Sequence, residues 1–145
     1  MGVKVTTPKE DVSSVLYSHM ARVRAAIVSR LSEIGKLATD WARATGNYTD
    51  RTGNLRSSIG YVVAENGTVL SSSSFASVLG ASEGPREGRS LAYDIASQSR
   101  GLVLILVAGM DYAQYVADKG FNVLDSGELL ARKLVGQLKV PEVSW

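Results

Sequence analysis

The 145-residue chain contains no cysteine and a single histidine, His19. Without cysteine there are no disulfides, no thiolate nucleophile and no zinc site built on sulfur. Packing or assembly must supply the stability that staples would otherwise give. Charge of one sign is also scarce. Sixteen basic residues against 14 acidic ones leave a net charge of +2, too little to argue for nucleic-acid binding from charge alone. No apolar run approaches the roughly 18 residues that a membrane span needs. The first eight residues, Met1 to Pro8, hold no apolar core of signal-peptide length, which reads as a chain made in a cytoplasm. An apolar content of 45% with 21% charged residues is ordinary for a globular protein. We therefore read residues 1–145 as one domain, long enough to bury a real core.

Catalysis would leave marks that are absent. His19 falls mid-helix beside an apolar stripe, and no strained nucleophile elbow presents a serine to it. No convergent His or carboxylate spacing suggests a metal site. Asp50, Asp94, Asp111 and Asp118 share no motif, so only a meeting in space would make a metal-dependent nuclease. Gly84-Pro85-Arg86-Glu87-Gly88 lacks the Gly-Lys-Ser/Thr ending of a phosphate loop. Arg51 and Arg56 bracket a turn, and structural salt bridges to Asp50 or to a neighbouring subunit explain them better than phosphate does. The sequence reads as a non-enzyme with no catalytic, cofactor-binding or metal residues and no cofactor.

Thr7-Pro8-Lys9-Glu10 opens a helix with a capping box. Val12, Leu16, Met20, Val23, Ile27, Leu31, Ile34, Ala38 and Trp41 then recur every three or four residues, one stripe facing a core. The helix is expected over 8–45, ending at Gly46. So long a rod must either bend near Gly35 or protrude toward a partner. Its other face carries Arg22, Glu33, Lys36, Asp40 and Arg43, spaced as weak solvated ion pairs. Thr52 is placed to cap a single turn through Ser57. Strands follow over 59–65 and 68–71, joined by Asn66-Gly67, the strongest short hairpin signal.

Residues 71–90, opened by four serines and punctuated by Gly80, Gly84, Pro85 and Gly88, read as a flexible loop that orders against a neighbour. It holds at most one short strand, over 75–79. Ser90 would then cap a short helix over 91–98. The unbroken run Leu102-Val103-Leu104-Ile105-Leu106-Val107 reads as a central strand buried on both faces. One face should meet the long helix; the other should meet the C-terminal helix or another subunit. A short helix is expected over 111–117. Asp125-Ser126-Gly127-Glu128 reads as a second capping box, opening a helix to about Leu138 with Leu130 and Leu134 on its apolar face. Residues 140–145 read as a frayed tail.

Two segments carry a resemblance. Asp50-Arg51-Thr52-Gly53-Asn54-Leu55-Arg56-Ser57-Ser58-Ile59 resembles the Asp-Thr-Gly-x-Leu-Arg-x-Ser-Ile signature of the tail-completion, or head–tail joining, family of double-stranded-DNA tailed phages. Val107-Ala108-Gly109-Met110-Asp111-Tyr112-Ala113-Gln114-Tyr115-Val116 is similar to that family's second motif, a strand leading into Tyr-Ala-x-Tyr-Val-Glu. The order and separation of the two match over about residues 10–138. Two departures stand out. Arg51 is inserted between the usual Asp and Thr, and Ala117 replaces the usual glutamate, with Asp118 next to it.

The resemblance implies a structural virion protein at the head–tail (neck) junction, made in the host cytoplasm. It would form a ring around the channel through which DNA leaves, six-fold by first expectation and twelve-fold if it sits on the portal side. Its partners would be copies of itself, portal or connector proteins, and tail tube or tail terminator proteins. DNA would pass without sequence-specific binding, and no membrane is involved. Arg51, Arg56, Tyr112, Tyr115 and Asp118 are the expected subunit or partner interface. The expected fold is α+β: a long N-terminal helix on a small, mostly antiparallel sheet of three to four strands, with a C-terminal helix alongside. Two rivals stand against this reading. One is a nucleic-acid-binding module using Arg51, Arg56 and Arg100; the other is a carboxylate-dependent nuclease.

Overall fold

The long helix α1 runs unbroken from Lys9 to Thr45 in the computed structural model, which describes residues 9–110 and 113–138, with side chains from residue 16 onward except that of Tyr115. The expected cap at Thr7, the interface residue Tyr112 and the tail over 140–145 lie outside the described residues. The helix continues through Gly35 without a break. A Cβ at that position would lie 2.6 Å from Cδ2 of Tyr61, so glycine here lets the helix approach the sheet.

After α1 come the single turn α2 (Asn54–Ser57), strands β1 (Ile59–Glu65) and β2 (Thr68–Ser72), helix α3 (Glu83–Ser97), strand β3 (Leu102–Ala108), and helices α4 (Ala113–Asp118) and α5 (Asp125–Gly136). The three strands form one antiparallel sheet in the order β2-β1-β3. This is the expected α+β fold. Asn66 and Gly67 both take positive φ, 50° and 87°, as the hairpin turn requires.

The pleat divides the core into two layers. Tyr61 and Val63 of β1 pack with Leu31 of α1 and with Leu102, Leu104 and Leu106 of β3. Val62 and Ala64 face the other way, onto Phe75, Ala92 and Ala96, with Val103 and Ile105 beside them. Helix α5 lies on α1 through Ala131, Ile34 and Ala38.

Several expectations need correction. The apolar run of β3 is an edge strand and not the central one; β1 is central, and its first six residues are all buried. Nor is β3 buried on both faces: α3 packs on one face through Val103 and Ile105 and α1 on the other, but only Val107 is fully buried and the remaining residues of the strand are half-buried. The loop expected over 71–90 ends at Ser82, and α3 begins at Glu83, eight residues before the expected start at Leu91. Gly84, Gly88, Ala92 and Ala96 recur every four residues and are its buried face. What reads as loop punctuation is a small-residue stripe that brings α3 close to the sheet. Pro85 sits in the first turn, where a missing N–H costs nothing. No strand forms over 75–79. Finally, α5 starts at Asp125 after Leu124, with no side-chain cap from Asp125. Asn122 Oδ1 instead accepts from the Ser126 amide at 3.2 Å.

Helix α1 runs antiparallel to β1. Near one end, Arg43 Nη2 donates to Ile59 O at 2.7 Å. Towards the other, Arg24 Nε donates to Glu65 Oε2 at 2.6 Å. Residues 9–23 continue past that end of the strand, roughly 22 Å of helix at 1.5 Å per residue. Within this stretch Tyr17 is 73% and Met20 63% exposed, and Leu16 is exposed as well. Trp41, expected in the core stripe, is half exposed, and Ala42 is the buried residue instead.

Candidate functional site

The signature segment lies where α1 meets the sheet. Gly53 precedes α2 with φ 76°, and Leu55 within α2 and Ile59 just after it are fully buried. Asp50 closes the turn. Its Oδ2 accepts the Arg56 amide at 2.8 Å and its Oδ1 the Leu55 amide at 3.4 Å. Thr52 Oγ1 accepts from the Asn54 amide at 3.2 Å. Asp50 thus carries the larger part of the capping expected of Thr52.

Arg56 points inward. Its Nε donates to Arg43 O at 3.3 Å, and its Nη2 donates to Gly46 O at 2.8 Å and Tyr48 O at 3.4 Å. The guanidinium carbon lies 4.5 Å from the centroid of the Tyr48 ring. The end of α1 leaves carbonyls without helical partners, and Arg56 supplies donors to that region. The expected salt bridge to Asp50 is not formed: Asp50 holds the main chain of Arg56, not its side chain.

The remaining polar residues each tie a different element to α2. Ser57 Oγ accepts from the Val78 amide at 2.7 Å. Asn54 Oδ1 accepts from the Gly84 amide at 2.8 Å and so caps α3 from outside it. Ser58 O accepts from the Gly109 amide at 3.2 Å. Ser57 and Ser58 are completely buried, and both are satisfied. The segment therefore joins α1, α3, the loop over 73–82 and the end of β3. Arg43 completes the junction. Burial pushes its guanidinium below the usual arginine range, while Asp40 and Tyr48 pull it back up. Arg43 is thus a half-buried strut, not part of a solvated face.

Of the expected interface residues, Arg51 is exposed beside this junction and Arg56 is turned into it. Asp118 is exposed on α4 and accepts from Gln114 Nε2 at 2.8 Å. Tyr115 lies on α4, with its side chain outside the described residues, as is all of Tyr112. Arg100 follows α3, next to Gly101, which bonds Asn66 at the hairpin end of the sheet. Arg51 and Arg56 lie at the opposite end, so the length of β1, roughly 20 Å, separates them from Arg100. No cluster of three or more His, Asp or Glu able to hold a metal occurs among the described residues.

Sequence reasoning missed one feature. The long helix, β3 and α5 enclose an apolar groove of about 680 Å³, floored by the leucines of β3 and walled by Leu124, Glu128 and Val135. The signal for it was the even-numbered leucines of β3 paired with Leu124 and Val135, which lie off the main apolar face of α5. No helix among the described residues is long and apolar enough to cross a membrane. No family model, curated protein or solved structure matches the chain.

Proposed function

We propose that this chain is a structural part of a tailed-phage particle, joining or completing the tail at the head–tail junction as a ring around the DNA channel. The observation that carries the reading is the use made of the signature. Its polar residues go into fixing the angle between a protruding helix and a sheet, which is the work of a rigid building block. The resemblance of both motifs to the head–tail joining family supplies the place in the particle. The protruding, partly apolar end of α1 offers the partner surface that such a block needs.

The nucleic-acid rival is weakened by two facts. Arg56 is committed to carbonyl oxygens, and Arg100 lies at the far end of the sheet. The nuclease rival lacks a carboxylate cluster among the described residues, since Asp50 is occupied by main-chain amides.

The test is genetic. A phage carrying this gene with an early stop codon should accumulate DNA-filled heads and separate tails. Normal infectious particles without the protein would refute the proposal. Steeply salt-dependent DNA binding by the purified chain would favour the first rival instead.

A further inference from the structure

We propose that residues 141–145 of the chain add to the open edge of β3 as a fourth, parallel strand beneath α5 and fill the groove there. The inference goes beyond the head–tail reading and does not depend on it.

The edge of β3 is uncovered. β1 and β3 keep one register throughout, continued by Gly109 N–H donating to Ser58 O at 3.2 Å and Asn66 N–H donating to Gly101 O at 3.1 Å. Bonded pairs alternate along an antiparallel ladder, so Val103, Ile105 and Val107 exchange their main-chain bonds with β1. Leu102, Leu104, Leu106 and Ala108 direct theirs to the open side, where no strand meets them among the described residues. The opposite edge of the sheet is blunted: β2 has five residues, and its register with β1 is broken by a bulge. β3 offers seven residues without a bulge, a charge or a proline, the kind of edge that folded proteins cover. The side chains of Leu102, Leu104 and Leu106 floor the groove and are only half-buried, and Val135 is exposed at its wall.

The path of the chain leads to this edge. Helix α5 runs antiparallel to α1: Ser126 Oγ, near its start, lies 2.7 Å from Thr45 Oγ1, while Val135 and Gly136, at its end, share the groove with Leu31. α1 is antiparallel to β1, and β1 to β3, so α5 is antiparallel to β3 and ends near the beginning of that strand. A segment turning back from there runs in the direction of β3, and β3, α5 and the added strand make a βαβ crossover. The hand of the crossover follows from the pleat. In β3 the side chains that face α1 and α5 belong to the residues whose main-chain groups face the open edge. For L-residues this puts the open edge to the right of β3 when the strand points up and α5 lies toward the viewer. A strand added there makes the crossover right-handed, the hand that nearly all such connections have.

The sequence after α5 has the pattern such a strand needs. Lys139-Val140 is long enough for a helix-to-strand connection. In Pro141-Glu142-Val143-Ser144-Trp145, alternation sets Pro141, Val143 and Trp145 against Glu142 and Ser144. The apolar set enters the groove, and the polar set faces away from α5. Proline is tolerated as the first residue of an edge strand. Five residues span about 17 Å, most of the roughly 23 Å of β3. A second copy pairing through its own β3 would bring its own α5 over the same edge, whereas a single strand leaves α5 in place.

Hydrogen exchange reads this edge amide by amide. The full chain is compared with a chain ended after Leu138. The amides of Leu104 and Leu106 should exchange about ten-fold or more slower in the full chain, while those of Val103 and Ile105, bonded to β1, stay slow in both. Equal exchange of Leu104 and Leu106 in the two chains overturns the proposal: fast in both means an open edge, and slow in both means that another strand, such as one from a second copy, covers it. If Val103 and Ile105 also lose protection, the shortened chain has not folded, and the full chain decides. With Trp41→Phe, Trp145 is its only tryptophan. Its emission should be blue-shifted, and its quenching by acrylamide reduced, relative to the same chain unfolded in urea. Emission and quenching equal to those in urea overturn the proposal.

Discussion

Asp50 and Arg56 are joined through the main chain: the carboxylate of Asp50 accepts the amide of Arg56 at 2.8 Å, while the Arg56 side chain leaves in another direction, toward the end of α1. A carboxylate that accepts two amides at the start of a turn acts as a cap, and losing such a cap costs about 1–2 kcal/mol. Asp50→Ala should therefore lower stability by about that much, read as a urea midpoint shift at unchanged slope. Asp50→Asn should recover part of the loss, because an amide oxygen still accepts. If Asp50 served instead as a surface charge for a partner, neither change would move the midpoint.

Arg56 gives a sharper test, because two readings of it differ in outcome. As a contact residue it could be replaced with little effect on the isolated chain. As the donor to three carbonyls, stacked on Tyr48, it cannot. Arg56→Ala should cost about 2–3 kcal/mol, since hydrogen bonds from a charged donor are worth more than neutral ones. Arg56→Lys should recover less than half, because an ammonium cannot span Arg43 O and Gly46 O as a planar fork does. The readout is the urea midpoint of each variant. Wild-type stability of Arg56→Ala would return Arg56 to the surface-contact role.

The glycines of α3 turn a misreading into a prediction. In a flexible loop, Gly88→Ala would be neutral or slightly stabilising. In the fold, a Cβ on Gly88 would collide with Ser58 O and lie 2.9 Å from Cδ1 of Phe75. The Ser58 oxygen is main chain and cannot step aside, so Gly88→Ala should cost about 2 kcal/mol or more, in the range of overpacked cores. Gly136→Ala is the matched control. It ends α5, a Cβ there would meet nothing within 4 Å, and the change should gain about 0.5 kcal/mol from helix propensity.

The hairpin and the main axis of the fold were legible in the sequence because each rests on local chemistry. Asn66-Gly67 specifies its own turn, and the stripe from Ile27 to Ala38 specifies a helix face. What was not legible depends on neighbours. The apolar run of β3 looks central because its residues are apolar on both faces, yet that pattern says nothing about pairing at the edge. Gly84 and Gly88 look like loop residues until α2 is known to lie against them. Arg56 looks like a contact residue because its partners are carbonyls, which every residue carries and no pattern announces. Trp41 fits the helical period, but the stripe is wider than the surface available, and the smaller Ala42 takes the buried place.

The protruding end of α1 should separate stability from assembly. Leu31, at 7% exposure, packs beneath Tyr61 and Val63, so Leu31→Ala should cost about 2–4 kcal/mol. Met20 lies three turns earlier on the same helix at 63% exposure, and Met20→Ala should change the isolated chain by less than about 0.5 kcal/mol. Thermal melting of the two variants checks the first half of the claim. Incorporation into particles, measured by complementing a phage deleted for the gene, checks the second. Met20→Ser should fold normally and still fail to restore joined particles, because the Met20 side chain belongs to the part of the rod that extends beyond the sheet of its own chain. If Met20→Ser restores them fully, the protruding stripe is a bystander, and the contact surface must be sought on another face.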